Sequence, residues 1–330
     1  MSEILKIGEI EVEENMKRSG TLKVAGRSLS PIEVPITIVR GSSSGSTLCV
    51  LAGEHGCEYA GIEACLRLSK TISPKELSGT LIIIPVVNVP GFENRTPYVC
   101  PIDNVDLSSA WPGKQIVSHS ISHIITHTIF HQVIRKSNYI ITLHGGDLVE
   151  SLSDPCILLH KTGNKKVDEA SENMAKNFGI EYVVEYKEEK GGLTREATER
   201  GIPTILPEAG GEGKVEESDV SILYEGVLNV MKCLGMIKGE PLIKVKPRII
   251  RRSAHVFTEK EGLFYSHVKV GDMVLEGEVI GEIKNIRGET VYELKAPIKG
   301  KVFFKLNPLS WGPSLGWFLY MIADVDDYYY

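Results

Sequence analysis

Four short apolar runs constrain this 330-residue chain more than any other feature: TLCVLAG (47–53), TLIIIPVVN (80–88), YIITLH (139–144) and IPTILPE (202–208). Each has the length of a strand and almost no charge, so each reads as a strand buried on both faces. Between and after them lie helical sequences: YAGIEACLRLSKTI (59–72), the stretch 114–136, KVDEASENMAKNFG (166–179) and SDVSILYEGVLNVMKCLG (218–235). Strands alternating with helices predict an α/β sandwich around a mainly parallel sheet. In such sheets, ligands sit beyond the carboxyl ends of the strands.

The flanks read differently. Residues 1–46 alternate polar and apolar in short pieces such as IEVPITIV and end in GSSSGS, which predicts edge strands followed by a flexible turn. This is a lead-in to an α/β domain over 1–245, not a domain of its own. After Gly235 a Pro- and Lys-bearing connector leads into glycine-punctuated alternating pieces (HVKVGDMVLEGEVIGEI, RGETVYELKAPIKGKVFF), which predict a small all-β module over 246–330. Its hairpins resemble part of a biotinyl- or lipoyl-type barrel, but without the Met-Lys-Met tip that carries an attachment lysine, so a structural cap is expected.

A net charge of −6 lacks the basic excess of nucleic-acid binding, so a small-molecule or protein partner is expected. The charged start MSEILKIGEIEVEEN has no apolar signal-peptide core, and no stretch approaches the roughly 18 apolar residues of a membrane span. Six scattered cysteines without a C-x-x-C pair predict reduced thiols. The expected setting is cytoplasmic, with no membrane association.

The stretch GEHGCEYAG places His55 and Glu58 three apart just after the first apolar run. Zinc accepts imidazole nitrogen and carboxylate oxygen, and a catalytic site offers three protein ligands with one position left open. A single His-x-x-Glu is equally at home in a solvated turn. Here, however, His144 ends a second apolar run ahead of Gly145-Gly146, and Glu208 ends a third ahead of Ala209-Gly210-Gly211. Four groups suited to metal and base chemistry thus fall at strand ends, where this kind of sheet binds ligands.

With GEHGCEYAG, PVVNVPGF, RTPYVCPIDNVDL, AWPG, LHGGD, PEAGG and the C-terminal β-module in this order, nearly the whole chain resembles the succinylglutamate desuccinylase and aspartoacylase family of the zinc carboxypeptidase clan. The resemblance implies a three-layer sandwich of the zinc carboxypeptidase type, with a mixed, mainly parallel sheet. It implies one Zn2+ held by His55, Glu58 and His144, and Glu208 as the base that takes a proton from the attacking water. It also implies Arg95 beside the carbonyl oxygen, where a guanidinium would stabilise developing negative charge. The activity implied is hydrolysis of the amide of a small N-acylated amino acid or amine. A carboxypeptidase-like peptide hydrolase and a non-catalytic zinc-binding regulator are the alternatives.

Two departures bear on the substrate. Ser108 and Ser109 stand where the family usually has Asn-Arg, so the bidentate grip on a substrate carboxylate is missing. Arg195, in GGLTREATERG, is the candidate replacement cation; a solvated helix arginine is the plainer reading. Thr142 occupies the place of an aspartate two residues before the third ligand. Asp147 and Glu150, close behind His144, fit either the pocket or a surface turn. Finally, His119, His123, His127 and His131 recur every fourth residue opposite Val117, Ile121, Ile124, Ile125 and Ile129, which predicts an outward histidine face. Phe130 and Ile134 are expected on that outer side, suiting a contact in a homo-oligomer.

Overall fold

The computed structural model describes residues 4–24, 31–114, 120–187, 190–308 and 316–330. Its centre is a ten-stranded sheet. Across the sheet the order is Tyr328–Tyr329, Arg248–Ile250, Tyr182–Tyr186, Cys156–His160, Thr204–Glu208, Tyr139–Leu143, Ser43–Ala52, Ser78–Ile84, Ile32–Arg40 and Met16–Val24. The four apolar runs form four adjacent strands in the middle. Ser43–Ala52 lies parallel to both Ser78–Ile84 and Tyr139–Leu143, and Tyr139–Leu143 lies parallel to Thr204–Glu208. Cys156–His160 runs antiparallel to Thr204–Glu208 and makes the sheet mixed.

The register shows why these runs lack charge. Val50 pairs with Ile83 and Ile141, and all three face a core shared with helices Tyr59–Thr71, Lys165–Lys176 and Glu217–Cys233. The alternate residues Cys49, Leu51, Ile82, Ile84 and Ile140 face a second core, closed by helix Ile121–Gln132 and by Leu193 and Ala197. Both faces are buried, so a polar residue on either would lose its water without replacement. The result is the expected three-layer sandwich.

The structure revises several details. GSSSGS is not a flexible turn: the strand Ser43–Ala52 begins inside it. Its glycines permit close approach, since a Cβ at Gly41 would come within 1.9 Å of the Leu77 carbonyl oxygen. The lead-in is also part of the main sheet, because Ile32–Arg40 pairs directly with Ser78–Ile84.

In the histidine segment the described helix starts at Ile121, capped by Ser120, whose hydroxyl accepts from the His123 N–H. His131 is exposed, as an outward face requires, but His123 and His127 are half-buried, and His123 Nδ1 lies 3.1 Å from the Ala110 carbonyl oxygen. His119 and Val117 lie outside the described residues. Phe130 and Ile134 are not on the outer side. Phe130 packs beside Trp111 in the second core, with the Arg200 guanidinium 5.3 Å from its ring centre. Ile134 follows the helix end, where the chain tightens into a 3₁₀ turn, so α-helical phase no longer sets its direction.

The C-terminal module builds two small antiparallel sheets with a core of their own. It is sewn to the α/β part at several points. Arg248–Ile250 and Tyr328–Tyr329 extend the central sheet, and Glu150–Leu152 leaves the α/β part to pair with Gly300–Leu306. None of the six cysteines is in a disulfide; Cys233 is half-buried and the others are buried. No helix among the described residues is long and apolar enough to cross a membrane.

Candidate active site

The strand Ser43–Ala52 ends against Gly53, whose φ of 64° turns the chain sharply. Gly56 lies so close to the next loop that a Cβ there would sit 2.2 Å from the Phe92 nitrogen. This tight turn lets His55 and Glu58 project to the same side just before the helix Tyr59–Thr71. One strand over, His144 follows Leu143. It is laced to the end of Thr204–Glu208: its N–H donates to the Pro207 carbonyl at 2.9 Å, and its own carbonyl accepts from the Ala209 N–H at 3.1 Å. The sheet therefore brings together the four residues singled out in the sequence.

Three of them are close enough together to hold a cation. His55 Nδ1 is 2.6 Å from Glu58 Oε1, and His144 Nδ1 is 3.0 Å from Glu58 Oε2. One donor atom from each of the three residues lies within 4.8 Å of the others. Two imidazoles and a carboxylate form a set that zinc accepts, and no fourth ligand closes the group among the described residues. Beside it Glu208, 7% exposed, has a carboxylate oxygen, Oε2, without a hydrogen-bond partner.

Behind the imidazoles stand two carboxylates that sequence reasoning did not assign. Asp106 Oδ1 lies 3.3 Å from His55 Nε2, and Glu54 Oε2 lies 3.8 Å from His144 Nε2. A carboxylate hydrogen-bonded to the far nitrogen, as Asp106 is to that of His55, fixes the tautomer that leaves the near one free to ligate; Glu54 Oε2 makes no hydrogen bond. Thr142 takes no such part; its buried hydroxyl has no partner. Glu54 was adjacent to the motif and could have been suspected. Asp106 is distant in sequence and is brought in by a loop.

Burial dominates the electrostatics. It pushes Glu208 well above the usual carboxylate range. For His144 burial opposes protonation, but Glu58 and Glu54 outweigh it and raise the imidazole to about 9. Burial likewise pushes Asp147 up to about 6 and Glu150 up to about 8, each reinforced by the Glu58 charge.

The group opens onto a cavity of about 290 Å³. Ser108 lines it. Ser109 does not; it is exposed and its hydroxyl donates to the Asp106 carbonyl at 2.8 Å. Arg195 is also outside the lining, paired with Glu199 at 2.8 Å. Arg95 ends the helix Val89–Asn94 in the left-handed conformation, beside Tyr59 and Cys57 and outside the lining. Tyr98, three residues on, does line the cavity. Its N–H donates to Asp147 at 3.0 Å, its ring meets His55 edge-on at 5.5 Å, and its hydroxyl donates to Glu150 at 3.4 Å. Asp147 is thus a buried support, and Glu150 a wall residue. The C-terminal module contributes His255, Phe304, Phe318 and Met321.

Residues 44–234, more than half of the chain, match the model of the succinylglutamate desuccinylase/aspartoacylase catalytic domain. The chain belongs to this family. A curated relative, the N-alpha-acetyl-L-2,4-diaminobutyric acid deacetylase of Halomonas elongata, is 26% identical over 304 residues, covering 89% of this chain and 86% of the relative. The product-bound ectoine utilization protein EutE (DoeB) from Ruegeria pomeroyi superposes with a TM-score of 0.80 at 24% identity, over 93% of this chain and 95% of that one. A succinylglutamate desuccinylase/aspartoacylase from Rhodobacter sphaeroides gives 0.80 at 24% identity, over 96% and 99%. At that identity, the two structures show that this family member shares the fold.

Proposed function

We propose that the protein is a zinc-dependent amidohydrolase that removes the acyl group from a small N-acylated amine or amino acid. The observation that carries this reading is the convergence of His55, Glu58 and His144 within 4.8 Å of one another, at the edge of a cavity that Glu208 also lines. One ion per chain, held by those three residues, would supply Lewis-acid activation of water and of the acyl carbonyl. Glu208 takes the water proton as oxygen adds to the acyl carbon, and returns it to the nitrogen as the C–N bond breaks. The products are a carboxylate and an amine. Burial raises the proton affinity of Glu208, and a cation at the neighbouring ligands would lower it again toward the range of a base.

Asp106 holds the His55 imidazole, Glu54 stands behind that of His144, and Tyr98, whose hydroxyl donates to Glu150, lines the cavity beside them. Arg95 serves the carbonyl oxygen only if its side chain swings inward on binding. A buried base with an unpartnered oxygen speaks for turnover over a purely structural zinc site, which needs no free base. The unpaired thiols agree with a cytoplasmic setting.

Metal analysis of the purified protein, joined to a hydrolysis screen over N-acetyl, N-succinyl and other N-acyl amides, tests the reading. About one ion per chain is expected, lost in His144→Ala. Equal metal in both proteins, or an inactive metal-loaded wild type, overturns it.

A further inference from the structure

Five carboxylates line the cavity: Glu54, Glu58, Asp106, Glu150 and Glu208. No lysine or arginine does so among the described residues. The undescribed segments that follow Tyr186 and precede Phe318, residues 188–189 and 309–315, contain two glutamates and no lysine or arginine. A divalent ion at His55, Glu58 and His144 would be the site's own cation, taken up by the acyl amide; the rest of the lining offers Glu150 and no lysine or arginine among the described residues. Away from that ion an anionic group would meet acidic side chains and no lysine or arginine, whereas a protonated amine beside Glu150 would stabilise that carboxylate's charged form.

Four of the five acids already have work in the reading above: Glu58 as ligand, Glu208 as base, Asp106 and Glu54 behind the imidazoles. Glu150 has none. It is 6% exposed, and among the described residues its carboxylate has one side-chain partner, the Tyr98 hydroxyl at 3.4 Å. That is a weak bond for a buried carboxylate, which ordinarily needs charge-assisted partners. A second observation marks the space as ligand-binding. The hydroxyls of Thr142 and Thr194, both on the cavity and both essentially fully buried, have no hydrogen-bond partner. They can serve an amide N–H or C=O. The rest of the wall, including Leu158, Leu206, Phe304, Phe318 and Met321, suits an alkyl spacer.

We infer that the substrate is a monoacylated diamine, whose acyl amide lies at the metal ligands while a second, protonated nitrogen reaches Glu150. The inference rests on the proposed amidohydrolase reading and names its substrate class.

The test uses four acetamides and the metal-loaded wild type. N-acetyl-1,4-diaminobutane, N-pentylacetamide and N-acetyl-5-aminopentanoate share the acyl group and spacer and differ in the terminal charge. N-acetyl-norleucine adds an α-carboxylate. The cation is expected to exceed the neutral amide in kcat/KM by about tenfold or more, as one charge-assisted hydrogen bond would give, with both anions lowest. In Glu150→Gln the ratio of cation to neutral amide should collapse toward one. If that variant does not fold, inhibition of the wild type decides, with 1,4-diaminobutane expected to inhibit at lower concentration than pentylamine and pentanoate.

Preference for either anion, an unchanged ratio in Glu150→Gln, or stronger inhibition by pentanoate overturns the inference. Turnover of N-acetyl-norleucine alone would do so while leaving the amidohydrolase reading intact. A metal-loaded protein inactive on all four and throughout the wider acyl screen would overturn both.

Discussion

His55, Glu58, His144 and Glu208 reach the cavity from turns at the ends of neighbouring strands of one sheet, whereas Phe304, Phe318, Met321 and His255 reach it from a second sheet. The first group sits on a buried scaffold whose register is set on both faces, so its distances follow from strand pairing. The second group depends on how the C-terminal sheet is docked, through the pairing of Glu150–Leu152 with Gly300–Leu306 and the bond from the Ser153 N–H to the Phe303 carbonyl. On the proposed reading, the chemistry sits on the central sheet and shape selection on the docked one. Glu150 lies on the join: its loop follows His144, yet its backbone pairs with Leu306. Substitutions on the floor should therefore remove turnover or metal, and substitutions on the wall should alter which substrate is accepted.

The largest effect is expected at the floor. Glu208→Gln keeps the shape and the metal but cannot take a proton, so turnover should fall by about 10² to 10⁴. Steady-state kinetics with metal content measured on the same sample checks this; near-normal activity would remove Glu208 from the chemistry.

Next comes Asp106→Asn. The amide can still touch His55 Nε2 but no longer presents a charge to it, and zinc affinity should weaken about 10- to 100-fold. A chelator competition titration measures the change. The same titration has a defined pH dependence. Without metal the His144 imidazole titrates at about 9, so it is protonated at neutral pH and must lose that proton to ligate. Metal uptake should release protons, and affinity should rise by about tenfold per pH unit for each proton displaced until the pH passes that value. Affinity flat with pH would contradict the ligand assignment of His144.

That these four residues share one floor was readable in the sequence because each sits next to the element that positions it. Apolar runs marked the strands, and His55, Glu58, His144 and Glu208 stood at their ends. What was not readable depends on contacts between segments far apart in the chain. Asp106 meets His55 across 51 residues through a loop, and nothing in local spacing announces it. The turn from Arg95 to Tyr98 decides which of the two lines the cavity, and it depends on their left-handed conformations, φ 51° and 58°, which sequence patterns do not reveal. Phe130 was misplaced for a related reason: helical phase shows which side faces the sheet, but not that the Trp111 loop covers the other flank.

On the wall, Phe304→Leu keeps an apolar residue of smaller size at a buried position. It should leave metal binding unchanged and lower kcat/KM for the preferred substrate by about tenfold or less, the scale of a few buried methylenes. A loss of metal in this variant would show that floor and wall are not separable.

The smallest effect is expected at Ser109. By resemblance this position would carry an arginine that grips a carboxylate, and on that ground Ser109→Arg should turn the protein toward acidic substrates. The structure argues the reverse. Ser109 is exposed and its hydroxyl is spent on the Asp106 carbonyl, while its neighbour Ser108 faces the cavity. An arginine added at 109 begins in solvent, where its charge is screened and a contact with the site is worth little. Preference between N-acetyl-norleucine and N-pentylacetamide should thus shift by no more than about threefold, under 1 kcal/mol. Ser108→Arg, by contrast, places the cation in a space lined by five carboxylates and should lower kcat/KM for a cationic substrate. A large swing toward the acid in Ser109→Arg would mean that the loop 107–110 turns inward when substrate binds, bringing the 109 side chain into a wall that now excludes it.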